Sequence, residues 1–91
     1  MTVTPRQRAA LKARAHALEP VVTVGQAGAS EALIAEVDRA LTAHGLVKVK
    51  LTGADRETRA ALTATICDRT SAEAVQQVGR VLVLWRPRPD D

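Results

Sequence analysis

The segment Val81-Leu82-Val83-Leu84-Trp85 is apolar at every position and is the longest unbroken apolar run in the 91-residue chain. Side chains along a strand alternate between two faces, so Val81, Val83 and Trp85 point one way and Leu82 and Leu84 the other. A strand that is apolar on both faces belongs inside a sheet covered on both sides. At five residues the run is far below the roughly 20 needed to span a membrane. Gly79-Arg80 joins it to the preceding strand, Ala74–Val78, in a two-residue hairpin with glycine at the first central position. The chain therefore closes on an antiparallel pair whose second strand, Val81–Arg86, is central.

Three helices and two further strands precede this pair. Helix 1 is expected over Pro5–Leu18, with Thr4 as N-cap and Pro5 at the first helical position, where a missing N–H is harmless. Leu11, Ala15 and Leu18 form its narrow apolar stripe, while Arg8, Lys12 and His16 recur at four-residue intervals on another face. Strand 1, Val21–Val24, leads through Gly25-Gln26-Ala27-Gly28 to Ser30, the N-cap of helix 2 over Glu31–His44. Leu33, Ile34, Val37, Ala40 and Leu41 give that helix its buried face, and Gly45 ends it. Strand 2, Leu46–Thr52, alternates: Val47, Val49 and Leu51 face the core, Lys48 and Lys50 the other side. Gly53 turns the chain and Asp55 caps helix 3, whose core positions are Leu62 and Ile66. The order αβαβαββ predicts an α/β fold of two-layer type on a four-stranded mixed sheet. Both βαβ crossovers are expected to join parallel neighbours. Helices 2 and 3 cover one face, and helix 1 part of the other.

Composition narrows the function. Of the 46% hydrophobic residues, 17 positions are alanine, and valine, leucine and isoleucine number 22, enough for one modest core. Residues 1–89 read as a single domain, followed by the acidic end Asp90-Asp91. Phenylalanine and tyrosine are absent and Trp85 is the one aromatic, which excludes a base-stacking aromatic platform. One cysteine and two scattered histidines exclude a disulfide framework and a Cys/His zinc site. Thirteen bases face ten acids, two of them at the extreme C-terminus, so the domain proper is basic. Basic domains of this size often meet polyanions, although a positive solvated surface is the plainer alternative. Lys12, Arg14 and His16 interrupt any apolar stretch behind the N-terminal arginines, so no signal peptide is read, and the expected location is cytoplasmic.

The strand–GxxG–helix passage is the most informative local feature. Gly25 and Gly28 allow a tight turn with no Cβ in the way, and the next helix aims its free N–H groups and positive dipole end there. A phosphodiester backbone can press against such amides, as in KH domains; two glycines three apart also make ordinary turns. No Lys-Ser/Thr follows, so this is not a P-loop, and G-x-G is missing, so it is not a dinucleotide fingerprint. Arg8 and Lys12 on helix 1, with Lys48 and Lys50 on strand 2, supply two basic strips. Cys67 reads as a packed small hydrophobe, His44 as a helix-terminal residue complementing the dipole, and Trp85 as core. With no nucleophile–base pair, metal cluster or cofactor box, the chain does not read as an enzyme and no small-molecule substrate is expected. A non-catalytic alternative to nucleic-acid binding is a protein-interaction module docking on a ribosomal protein or other acidic partner.

The stretches LKARAHALEPVVTVGQAGASEAL, HGLVKVKL, DRETRA and VQQVGRVLVLWRP, in this order and spacing, resemble the YhbY-type RNA-binding proteins. These are free-standing bacterial forms of the CRM domain, named for chloroplast splicing and ribosome maturation. The resemblance runs from about Pro5 to Pro87. It implies a fold like the C-terminal domain of translation initiation factor three. It also implies RNA binding in ribosome biogenesis, with large-subunit rRNA precursor and the pre-ribosomal particle as partners. The family's loop falls on Gly25, Gln26, Ala27 and Gly28, its basic helix on Arg6–His16, and its lysine-bearing strand on Lys48 and Lys50. Gln26 and Ala27 bring no positive charge, so a grip at the loop has to come from backbone amides and neighbours.

Overall fold

A computed structural model of the chain describes residues 3–52 and 55–87. The turn expected at Gly53 and the acidic end Asp90-Asp91 lie outside them. The elements are α1 (Pro5–Ala15), β1 (Pro20–Val24), α2 (Glu31–His44), β2 (Leu46–Leu51), α3 (Arg56–Thr70), β3 (Glu73–Val78) and β4 (Val81–Trp85). Each helix starts on the cap its sequence offers. The Thr4 hydroxyl accepts the Gln7 N–H at 3.1 Å while Gln7 Oε1 accepts the Thr4 N–H at 3.0 Å, a reciprocal capping box. Ser30 accepts the Leu33 N–H at 3.1 Å, and Asp55 that of Thr58 at 2.7 Å. Helix α1 stops at Ala15, short of the expected Leu18. The Leu18 N–H closes a tight turn on the Ala15 carbonyl at 3.0 Å, because Pro20 forces the residues before it out of helical geometry. Leu18 still packs on the core that Leu11 and Ala15 join.

The sheet order is β1-β2-β4-β3. Strands β1 and β2 are parallel neighbours, as the first crossover requires, and β4 is antiparallel to both β2 and β3. The second crossover departs from expectation: β2 and β3 are not adjacent, because β4 lies between them. The reason is the distribution of apolar side chains. β4 needs cover on both faces, whereas β3 carries Glu73, Gln76 and Gln77 and tolerates an edge.

Two cores result, one on each face. Leu82 and Leu84 join Val47, Val49 and Leu51 beneath Leu33, Ile34, Val37 and Leu41 of α2 and Ile66 of α3. On the other face Val83 meets Leu11 and Ala15 of α1, with Val3, Leu46 and Val75, and Trp85 packs against this group. Leu82 and Leu84 are fully buried, each side chain worth about 2 kcal/mol relative to exposure. A guanidinium ties down each layer. The register of β3 shifts between Ala74 and Gln76, and Arg8 Nη1 of α1 donates to the carbonyls of Ala74 at 3.0 Å and Val75 at 2.6 Å. Arg86 donates to the Asp38 carboxylate at 2.7 Å, the Thr70 carbonyl at 2.8 Å and the Thr42 hydroxyl at 2.9 Å, fastening the end of β4 to α2 and α3.

Removing Arg86 leaves the Thr70 carbonyl without this charged donor, whereas removing Asp38 leaves the other Arg86 bonds in place. Arg86→Ala is therefore expected to lower stability by about 2 kcal/mol, and Asp38→Ala by about 1 kcal/mol or less. Urea unfolding of the two variants checks this; equal losses would show that the ion pair alone matters.

Candidate nucleic-acid interface

Parallel strands β1 and β2 end side by side, with Val24 in register with Leu51. The chain therefore enters α2 and α3 from the same edge of the sheet. Past β2, the Thr52 N–H and hydroxyl both donate to the Val24 carbonyl, at 3.2 Å and 2.7 Å. On the other side the Leu51 N–H donates to the Arg80 carbonyl at 2.6 Å, so the β3–β4 hairpin closes on the same edge. The glycine loop, the starts of α2 and α3 and the hairpin tip thus meet at one end of the molecule.

The loop has the geometry its glycines suggest. The Gly28 N–H donates to the Gly25 carbonyl at 3.1 Å, and Gly28 has φ +65, in the left-handed region. A Cβ at Gly28 would stand 3.4 Å from Leu62 Cδ2 of α3, whereas one at Gly25 would meet nothing within 4 Å. Gly25, Gln26 and Ala27 are exposed. An open cleft beside them is lined by Gly25, Gln26, Gly28, Thr52, Asp55, Thr58 and Leu62.

Asp55 is the one acid among the described lining residues. The Thr58 backbone N–H, then its hydroxyl, and more weakly the charge of Arg59 hold its carboxyl below the usual carboxylate range. Its charge is directed into the α3 terminus, so the acid does not wall off the loop. A depressed native pKa means this cap contributes fully at neutral pH and is lost as the pH falls through the lowered value.

The four predicted basic residues separate into different settings. Lys50 pairs in register with Thr23 of β1 and Val81 of β4, one row in from the loop edge. Lys48 pairs with Val83 one row further in and shares an open groove with Lys12 and His16 of α1. Arg8 is placed differently: it is partly buried between α1 and β3, with Nη1 bound to the two β3 carbonyls. Its geometry suits docking α1 rather than meeting a ligand. Sequence reading missed Arg80, whose exposed side chain stands on the hairpin beside the loop edge. The available signal was topological, since a strand antiparallel to β2 must begin where β2 ends. Cys67 packs against the core, and burial pushes its thiol up, helped by the charge of Glu73, so it is a poor nucleophile at neutral pH. Among the described residues no three His, Cys, Asp or Glu side chains gather as metal ligands, and no helix is long and apolar enough to cross a membrane.

The two glycines carry different constraints. Gly28→Ala is expected to lower stability by about 1 kcal/mol, from left-handed strain, and Gly25→Ala by only a few tenths, roughly. Denaturant midpoints measure both; a Gly25→Ala loss as large as that of Gly28→Ala would contradict this division.

Comparison with known proteins places the chain in a family. Residues 3–86 match the model of the CRS1 / YhbY (CRM) domain. A protein of Haemophilus influenzae named as an RNA-binding protein is 45% identical over 86 residues, covering 94% of this chain and 87% of its own. A Pseudomonas aeruginosa relative, also named for RNA binding, is 37% identical over 89 residues, covering 98% of this chain and 86% of its own. The solution structure of a candidate RNA-binding protein from Staphylococcus aureus superposes with a TM-score of 0.82 at 28% identity, over 94% of this chain and 90% of the other. The αβαβαββ order, the two-faced β4 and the match along nearly the whole chain agree: this chain belongs to the CRS1/YhbY (CRM) domain family.

Proposed function

We propose that this chain is a non-catalytic RNA-binding protein of the cytoplasm that acts in ribosome biogenesis, holding large-subunit rRNA precursor within the pre-ribosomal particle. The observation that carries the reading is the exposed turn Gly25–Gly28 at the edge where α2 and α3 begin, with Lys50 on β2 and Arg80 on the β3–β4 hairpin beside it. Names given to the relatives support RNA as the partner class.

In this mechanism a phosphate approaches the loop amides and the positive end of α2, where N–H groups are left over by helix geometry. Gly25 offers no side chain and Gln26 no negative charge against it. Lys50 and Arg80 take flanking phosphates, and Lys12 and Lys48 extend the positive track over the α1 face. Arg8 acts as a positioning residue that holds α1 against β3. A single tryptophan, half-buried in the second core, leaves recognition to shape and backbone rather than aromatic stacking.

Neutralising about three to five phosphates gives a slope of log affinity against log salt of roughly −2 to −4. Replacing Gln26 and Ala27 together with aspartate, at two exposed positions, is expected to abolish RNA binding while leaving the circular dichroism and melting curve unchanged. Ultraviolet crosslinking in cells checks both levels of the reading. Wild-type protein should recover large-subunit precursor rRNA and the double variant should not. Equal recovery by the double variant would remove the loop from the mechanism, and recovery of little RNA by wild type would overturn the reading itself.

A further inference from the structure

On the α1 face, the sheet row nearest the loop edge reads Thr23, Lys50, Val81, Val78 across the four strands, and the next row holds Lys48, Val83 and Gln76. Helix α1 covers the opposite end of this face, around Leu46, Val75 and Val83, and leaves the hairpin end open. Val78 is 62% exposed, one of two large hydrophobic residues so exposed among those described. It floors a groove of about 280 Å³ with Val81 and Val83, walled by Lys12, His16, Lys48 and Gln76. Among the described residues no carboxylate lines it. A groove of this size with an apolar floor takes the face of a single base.

We propose that this groove seats one unpaired nucleotide of the RNA whose backbone lies on the glycine loop, its base on Val78 and Val81 and its phosphate against Lys12 and Lys48. The inference rests on the RNA-binding reading above and adds that the ligand is locally single-stranded. Two observations select this occupant. The rim is wholly basic or neutral, which suits a polyanion. The floor is also continuous with the loop: Thr23, one residue before Val24, is joined through Lys50 to Val81 across two strand spacings, roughly 10 Å. Valine methyl groups bury a base face without reading it, while Gln76 offers both a donor and an acceptor to a base edge. A paired base inside a duplex cannot reach the floor.

The test compares three probes of equal length: an oligouridylate, an oligomer of abasic ribose phosphates, and a blunt RNA duplex. Wild-type protein is expected to bind the oligouridylate roughly fivefold more tightly than the abasic oligomer, and the duplex no better than the abasic oligomer. Val78→Ser with Val81→Thr, one an exposed position and the other a conservative exchange, should erase that preference and leave abasic affinity unchanged. Wild-type binding of oligouridylate and abasic oligomer with equal affinity, or preference for the duplex, overturns the groove and leaves the RNA reading standing. Binding to none of the three overturns both. Perturbation of the Val78 and Val81 methyl resonances by a ribosomal-protein fraction but not by oligouridylate would overturn the nucleotide in favour of a peptide.

Discussion

Strand β4 cannot leave either face to water, and the position this forces on it organises the rest of the molecule. A segment with leucines on one side and valines and tryptophan on the other is stable only between two strands and two layers of cover. Entering from a two-residue hairpin, β4 runs antiparallel to β2, so its first residue lies against the end of β2. Because β1 ends beside β2, the hairpin tip, the glycine loop and the starts of two helices converge on one edge. The candidate interface is thus a consequence of how the core is closed.

Seven of the thirteen basic residues fall into two populations with different work. Arg8, Arg69 and Arg86 are engaged inside the molecule: on β3 carbonyls, on Glu31 at 3.0 Å, and on the Asp38–Thr42–Thr70 cluster. Lys12, Lys48, Lys50 and Arg80 stand on the loop edge and the adjoining face. Net charge alone overstates the footprint available to a polyanion, since a guanidinium bound to carbonyls or a carboxylate is only partly free to meet a phosphate. What distinguishes the second population is its contiguity with an exposed backbone turn bounded by two glycines.

Much of this was legible from residue pattern. Thr4, Ser30 and Asp55 begin the helices as their hydroxyl and carboxylate chemistry dictates, and the parities of β2 and β4 give the correct face for every core residue. Local rules reach only that far. The clamp of Arg8 on Ala74 and Val75 joins residues more than sixty positions apart at a strand irregularity, and no spacing in the chain announces it. Insertion of β4 between β2 and β3 was half visible: its centrality follows from its two apolar faces, but the displacement of β3 from β2 follows only when the polar side chains of β3 are weighed with it. Arg80 was read as a turn residue because hairpin chemistry explains it locally. Its place beside Leu51 appears once the strand order is known.

RNA along the edge formed by the glycine loop, the end of β2 and the hairpin would be seen in backbone amide resonances recorded during titration with a large-subunit precursor rRNA fragment. The largest shifts are expected at Gly25–Gly28, Lys50, Leu51 and Arg80, with the outer faces of α2 and α3 nearly silent. Shifts concentrated around Asp38, Arg39 and Arg69, with the loop amides unmoved, would contradict that placement.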